Sequence, residues 1–168
     1  MSLKSKKLEN KKLEELENKK FFSTVIFHKD FLEVLNQEFE KVVGEKAASA
    51  VSFRQGLSVG RNIAKNFKGV VPFKNIQRIM SKFVKIGEVS GLFEKVYFAG
   101  FKNKKYVMIV KTSISNKKYN LKIKKCSFVA GEAEGIVETI TGEKVTCRET
   151  ECVSCRGKYD KFVIELKK

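Results

Sequence analysis

The spacing of apolar residues changes at Gly87, and this change limits the chain to a helical layer combined with a sheet. The segment Phe21–Phe27 is apolar and β-branched, and it predicts an opening strand. Asp30 then stands at an N-cap position ahead of Phe31, Leu32, Leu35, Phe39 and Val42 at helical spacing, with Gly44 as the stop. A second helix carries Phe53, Leu57, Gly60, Ala64 and Phe67 as one continuous stripe. Pro72 suits the first turn of a third, whose inner face is Ile76, Ile79, Phe83 and Ile86. After Gly87, Leu92–Phe98 and Tyr106–Val110 read as strands joined through a lysine-rich turn around Asn103. Cys126–Thr141 returns to helical spacing, with Val129, Ala133, Ile136 and Val137 inside and Gly142 as its cap. The strands Lys144–Glu151 and Tyr159–Leu166, joined around Arg156-Gly157-Lys158, complete an α+β fold with a largely antiparallel sheet.

Two helices in this order are unusually rich in small residues. Gly56 and Gly60 lie on or beside the stripe of the second, although glycine costs about 1 kcal/mol against alanine inside a helix. Close backbone packing is the preferred explanation, and a small-residue floor beneath a ligand pocket is the alternative. Ala130, Gly131, Ala133 and Gly135 do the same to one side of the last helix.

With 168 residues, 42% apolar content and 14 Phe, the chain can bury one core. We assign residues 21–168 to a single domain and 1–20, where Leu3, Leu8, Leu13 and Leu16 are scattered among Lys and Glu, to a charged arm. No apolar run reaches the roughly 20 residues needed to cross a bilayer, and the N-terminus lacks the apolar core of a secretory signal, so a cytoplasmic location without membrane contact is expected. The net charge of +16 admits nucleic-acid binding as the alternative function, through Lys102–Lys125 and the arm. Yet Tyr106 and Tyr119 are the only aromatics in that stretch for bases to stack on, which favours a solvated antiparallel pair.

All four cysteines fall in the last third, at 126, 147, 152 and 155. In a cytoplasmic protein such a cluster favours metal binding over disulfides. Cys152-Val153-Ser154-Cys155 can wrap Zn²⁺ at Zn–S distances near ~2.3 Å, while Cys126 opens the preceding helix and Glu149 ends the strand leading to Cys152. The competing reading is four ordinary buried thiols. Redox catalysis is disfavoured because a strand, rather than a helix N-terminus, surrounds the CxxC. There is no glycine-rich phosphate loop, and His28 is the only histidine, so no catalytic residues are assigned and an enzyme is not expected.

Residues 126–166, CSFVAGEAEGIVETITGEKVTCRETECVSCRGKYDKFVIEL, resemble the closing half of the 4-vinyl reductase domain family. That family shows a Cys opening a small-residue helix, an E-x-x-C strand end, a Gly turn and a final C-x-F strand. Cys126, Gly131, Gly135, Glu149, Cys152, Gly157 and Phe162 occupy those places, and Gly56–Arg61 is compatible with an earlier glycine-containing helix. The resemblance implies a small-molecule sensor domain similar in fold to haem nitric-oxide sensors and vesicle transport-particle subunits, commonly a homodimer. The lysine-rich style suggests an archaeal, methanogen-like member. It further implies zinc on residues matching Cys126, Glu149 and Cys152. The family's fourth ligand, the Cys of C-x-F, falls on Asp160 here. Cys155 is preferred as replacement because thiolates dominate structural zinc sites; Asp160 acting as a carboxylate ligand, or an empty site, stays open. Reduction of a vinyl group needs a hydride donor, and no nicotinamide or flavin fingerprint is present. The expected function is therefore binding of a small, apolar or aromatic ligand between helices and sheet, lined by Phe53, Leu57, Phe83, Phe98, Tyr106 and Phe128, each of which is equally eligible as plain core.

Overall fold

The computed structural model describes residues 31–67, 80, 81, 84, 93–102, 105–113 and 126–167. The expected strand at 21–27, the arm at 1–20 and the inner face assigned to the third helix lie outside them. Of that helix, Met80, Ser81 and Val84 are described and helical.

The helix α1 (Phe31–Val43) ends where expected, at Gly44, whose φ of +82° is left-handed and whose N–H donates to the Glu40 carbonyl at 2.8 Å. Glycine adopts that conformation without the steric penalty of a Cβ. The Gly44 carbonyl then accepts the Ala48 N–H at 3.0 Å, so α2 (Glu45–Phe67) starts without a linker. Strands β1 (Phe93–Lys102) and β2 (Lys105–Ser113) form an antiparallel hairpin with a register shift between Phe98 and Phe101. The helix α3 (Ser127–Thr141) leads through Gly142, at φ +70°, into β3 (Val145–Glu151). A single 3₁₀ turn, Val153–Cys155, separates β3 from β4 (Asp160–Leu166). The four strands make one antiparallel sheet in the order β1-β2-β4-β3.

The helices stack outward from this sheet: α3 lies against β3 and β4, α2 along α3, and α1 on α2. The core is the layer between α3 and the sheet. Val137 meets Phe162 and Ile164 there, all fully buried, with Tyr106, Met108 and Val110 of β2 beside them. Alternation in β4 supplies this face: Asp160, Phe162 and Ile164 point inward, and Lys161 and Val163 lie between them on the other side.

The α2 stripe departs from the expected one. Its buried residues are Ala48, Ser52, Gly56, Gly60 and Ala64, at a strict spacing of four, while Phe53 and Leu57 are only half-buried. The reason is how near α3 comes. A Cβ on Gly56 would fall on the Phe128 carbonyl oxygen and one on Gly60 on the Glu132 carbonyl oxygen. Reciprocally, a Cβ on Gly131 would fall on the Phe53 carbonyl oxygen and one on Gly135 on that of Leu57. Residue numbers rise together on both helices, so α2 and α3 run parallel. Ser49 and Ser127 share a hydrogen bond of 2.6 Å at one end of the contact, and Arg61 pairs with Glu138 at 2.6 Å at the other. The four glycines thus serve close helix packing, the first of the two readings given above.

Candidate metal centre

Cys126 occupies the N-cap of α3, with φ −91° and ψ 34°. Its backbone N–H donates to Glu149 Oε2 on β3 at 3.3 Å, tying the helix start to the strand end. Pairing of β3 with β4 then slips between Glu149 and Glu151, a local irregularity of the kind that re-aims side chains. Beyond it Cys152 is extended, and its carbonyl accepts the N–H groups of Cys155 at 3.0 Å and Gly157 at 2.8 Å, which folds the chain tightly back. A Cβ at Gly157 would lie 2.6 Å from that carbonyl oxygen, so this turn requires glycine. Arg156 takes the left-handed conformation at φ +68°. Finally the Val153 N–H donates to Asp160 Oδ1 at 2.8 Å, closing the turn onto the first residue of β4.

These connections bring Cys126, Glu149, Cys152 and Asp160 together, with one donor atom of each within 4.8 Å of all the others. Cys126 and Cys152 are 2% exposed and Asp160 is 0% exposed; Glu149 is half-buried. Donors bound to one tetrahedral zinc stand about 3.3–3.8 Å apart, so modest contraction would close the shell. The electrostatics fit a cation as well. The Cys126 thiol is held well above its ordinary range, chiefly by its hydrogen bond with Cys152, then by burial and by the charges of Glu149 and Asp160. Glu149 is pushed up to about 8, first by burial and next by Cys152. Four acids confined in so small a volume cannot all ionise without a cation among them. The N-terminus of α3, the positive end of a helix dipole, favours the thiolate form of Cys126 that a metal would need.

Cys126, Glu149 and Cys152 are therefore brought together, and Asp160 completes the group. Cys155 is half-buried on the 3₁₀ turn, packs against the core, and is not one of the four. Asp160, which the resemblance left open as the alternative fourth ligand, also carries a signal in the sequence itself. It occupies an inward position of a strand whose other inward residues are Phe162 and Ile164, and a carboxylate in such a row demands a partner. Cys147 is buried but stands apart from the group: Glu134 Oε2 accepts its backbone N–H at 2.7 Å, and burial pushes its thiol up. Glu132 is a residue to which sequence reading assigned no role. It is half-buried beside the glycine crossing, and burial pushes it up to about 7.

Of the expected ligand-lining residues, the structure brings Phe53, Leu57 and Phe128 to the α2–α3 contact, all half-buried. Tyr106 is 4% exposed in the core, and burial followed by the Glu143 charge raises its hydroxyl. Phe98 contributes its backbone to β1, and Phe83 lies outside the described residues. Of the lysine-rich stretch, the described part belongs to the β1–β2 pair, where Lys105 meets Glu165 at 2.6 Å. No helix among the described residues is long and apolar enough to cross a membrane.

No family model matches the sequence, and no curated protein does so either. Solved structures do match. The phenol-responsive sensory domain of the transcription activator PoxR aligns over 84% of this chain and 76% of its own at TM-score 0.66 and 16% identity. A vinyl-4-reductase family protein from Methanocaldococcus jannaschii aligns over 87% and 85% at TM-score 0.63 and 16% identity. An H-NOX protein from S. oneidensis aligns over 95% and 88% at TM-score 0.61 and 13% identity. The chain shares their fold, helices layered on a four-stranded antiparallel sheet.

Proposed function

We propose that this chain is a small-molecule-binding regulatory domain in which Zn²⁺ clamps the start of α3 to the β3–β4 turn. The observation that carries the proposal is the buried convergence of Cys126, Glu149, Cys152 and Asp160, within a fold shared with a phenol-responsive sensory domain. Four protein donors leave a tetrahedral ion no open position for substrate, which supports a structural metal rather than a catalytic one and a binding module rather than an enzyme. Bound metal would require both thiols to lose their protons, and it would link a helix, a strand end and a turn that hydrogen bonds already bring together.

The ligand of this proposal is apolar or aromatic and sits near Phe53, Leu57 and Phe128, whose side chains are half-buried where the helices meet. Thermal unfolding of the metal-loaded full chain with phenol, toluene and an aliphatic control tests it. A ligand at one hundred times its Kd adds about 2.7 kcal/mol. Saturable stabilisation by the aromatic compounds is expected, and none from any compound would remove the ligand reading. The homodimer belongs to the same proposal and is tested by sedimentation.

A further inference from the structure

We infer that Asp160 sets the metal preference of this centre, so that it holds borderline first-row divalent ions such as Co²⁺ and Fe²⁺ alongside zinc and is not selective for zinc alone. The inference rests on the metal centre proposed above. The donor set is two cysteine sulfurs and two carboxylate oxygens. Thiolates select soft or borderline ions, and carboxylates suit harder ones, so each exchange of sulfur for oxygen weakens discrimination in favour of zinc. Asp160 is the member of the set that also closes the turn between β3 and β4. It is 0% exposed, opens β4, and accepts the Val153 N–H on Oδ1 at 2.8 Å. A carboxylate has two oxygens, so it can hold that N–H and still face a metal, whereas a cysteine would have to do both with one sulfur. Asp160 therefore preserves the shape of the Cys152–Gly157 turn and, with Glu149, gives the site its oxygen character.

Cobalt reports both properties, because thiolate-to-Co²⁺ charge-transfer absorption grows with the number of sulfurs bound. The metal-free, reduced full chain is titrated with Co²⁺ under anaerobic conditions, then with Zn²⁺ as competitor, in the wild type and in Asp160→Cys, Asp160→Asn and Cys155→Ser. Two sulfurs become three in Asp160→Cys, so its charge-transfer band should rise to about 1.5 times that of the wild type. Its preference for zinc over cobalt should rise on the order of tenfold. Asp160→Asn keeps an oxygen for the Val153 N–H but loses the anionic donor. It should bind Co²⁺ on the order of tenfold more weakly with the wild-type band intensity at saturation. Cys155→Ser should match the wild type in both respects. Should Asp160→Cys fail to give a wild-type circular dichroism spectrum, Asp160→Asn decides alone. An unchanged Co²⁺ affinity in Asp160→Asn, or an unchanged zinc preference in a folded Asp160→Cys, overturns the inference and leaves the metal centre standing. No charge-transfer band in the wild type overturns the metal centre itself, and the inference with it.

Discussion

The helix α3 is held at two places by opposite means. Along its length it is fixed to α2 by the absence of atoms: Gly56, Gly60, Gly131 and Gly135 let each backbone touch the other through peptide groups that do not titrate. At its N-terminus it is fixed to β3 and β4 by polar groups that repel one another unless a proton or a cation intervenes. The first attachment needs no metal but is intolerant of any added carbon. The second rests on ionisable groups, and under the proposed function it depends on metal.

The contrast predicts where the molecule breaks. Gly131→Leu inserts a side chain where a single Cβ already overlaps the Phe53 carbonyl oxygen, so the helices must separate. A loss of about 3–5 kcal/mol, measured by urea unfolding with and without bound metal, is expected to be the same in both states. Stripping the metal from the wild type with a chelator should cost about 3 kcal/mol, read as a fall in Tm of roughly 6–12 °C, with refilling restoring it. If Gly131→Leu abolished metal binding while the chain stayed folded, the two attachments would be one cooperative unit and the comparison would fail.

Glu132 connects the two regimes, since it is an acid placed beside the glycine crossing. Its folded pKa of about 7 lies above the ordinary 4.5, so folding favours the protonated carboxyl. The associated penalty is absent below pH 4.5, grows between pH 4.5 and about 7, and is complete above that. Glu132→Gln should therefore stabilise the domain by about 1–3 kcal/mol at pH 8 and leave it unchanged at pH 4. An equal effect at both pH values would mean that packing, not charge, sets the difference. The smallest effect belongs to the exposed Arg61–Glu138 pair, whose removal by Arg61→Ala should cost no more than about 0.5 kcal/mol and less in high salt.

The fold was legible in the sequence wherever periodicity and punctuation agreed. Gly44 and Gly142 mark helix ends by a left-handed conformation that other residues adopt at a cost, and the alternation of β4 identifies its inward face. Reading α2 by its largest apolar residues picked out Phe53 and Leu57, because periodicity weights hydrophobicity. The contact with α3 instead selects for smallness, through Ala48, Gly56, Gly60 and Ala64. At the metal centre, Cys126, Glu149 and Cys152 stand out by residue type and spacing. Asp160 was the alternative to Cys155, which looked the better donor on chemistry alone, and β4 turns Asp160 inward beside Phe162. What separates them is the turn at Cys152, whose hydrogen bonds depend on Gly157 and on the left-handed Arg156, details that composition does not announce.

The most direct test of the account is the metal content of the full chain, purified reduced and without chelators, together with its Cys126→Ser, Cys152→Ser, Asp160→Ala and Cys155→Ser variants. Elemental mass spectrometry should find about one divalent ion per wild-type chain, retained in Cys155→Ser and lost or strongly reduced in the other three. A metal-free wild type, or an ion that survives Asp160→Ala but is lost with Cys155→Ser, would contradict it.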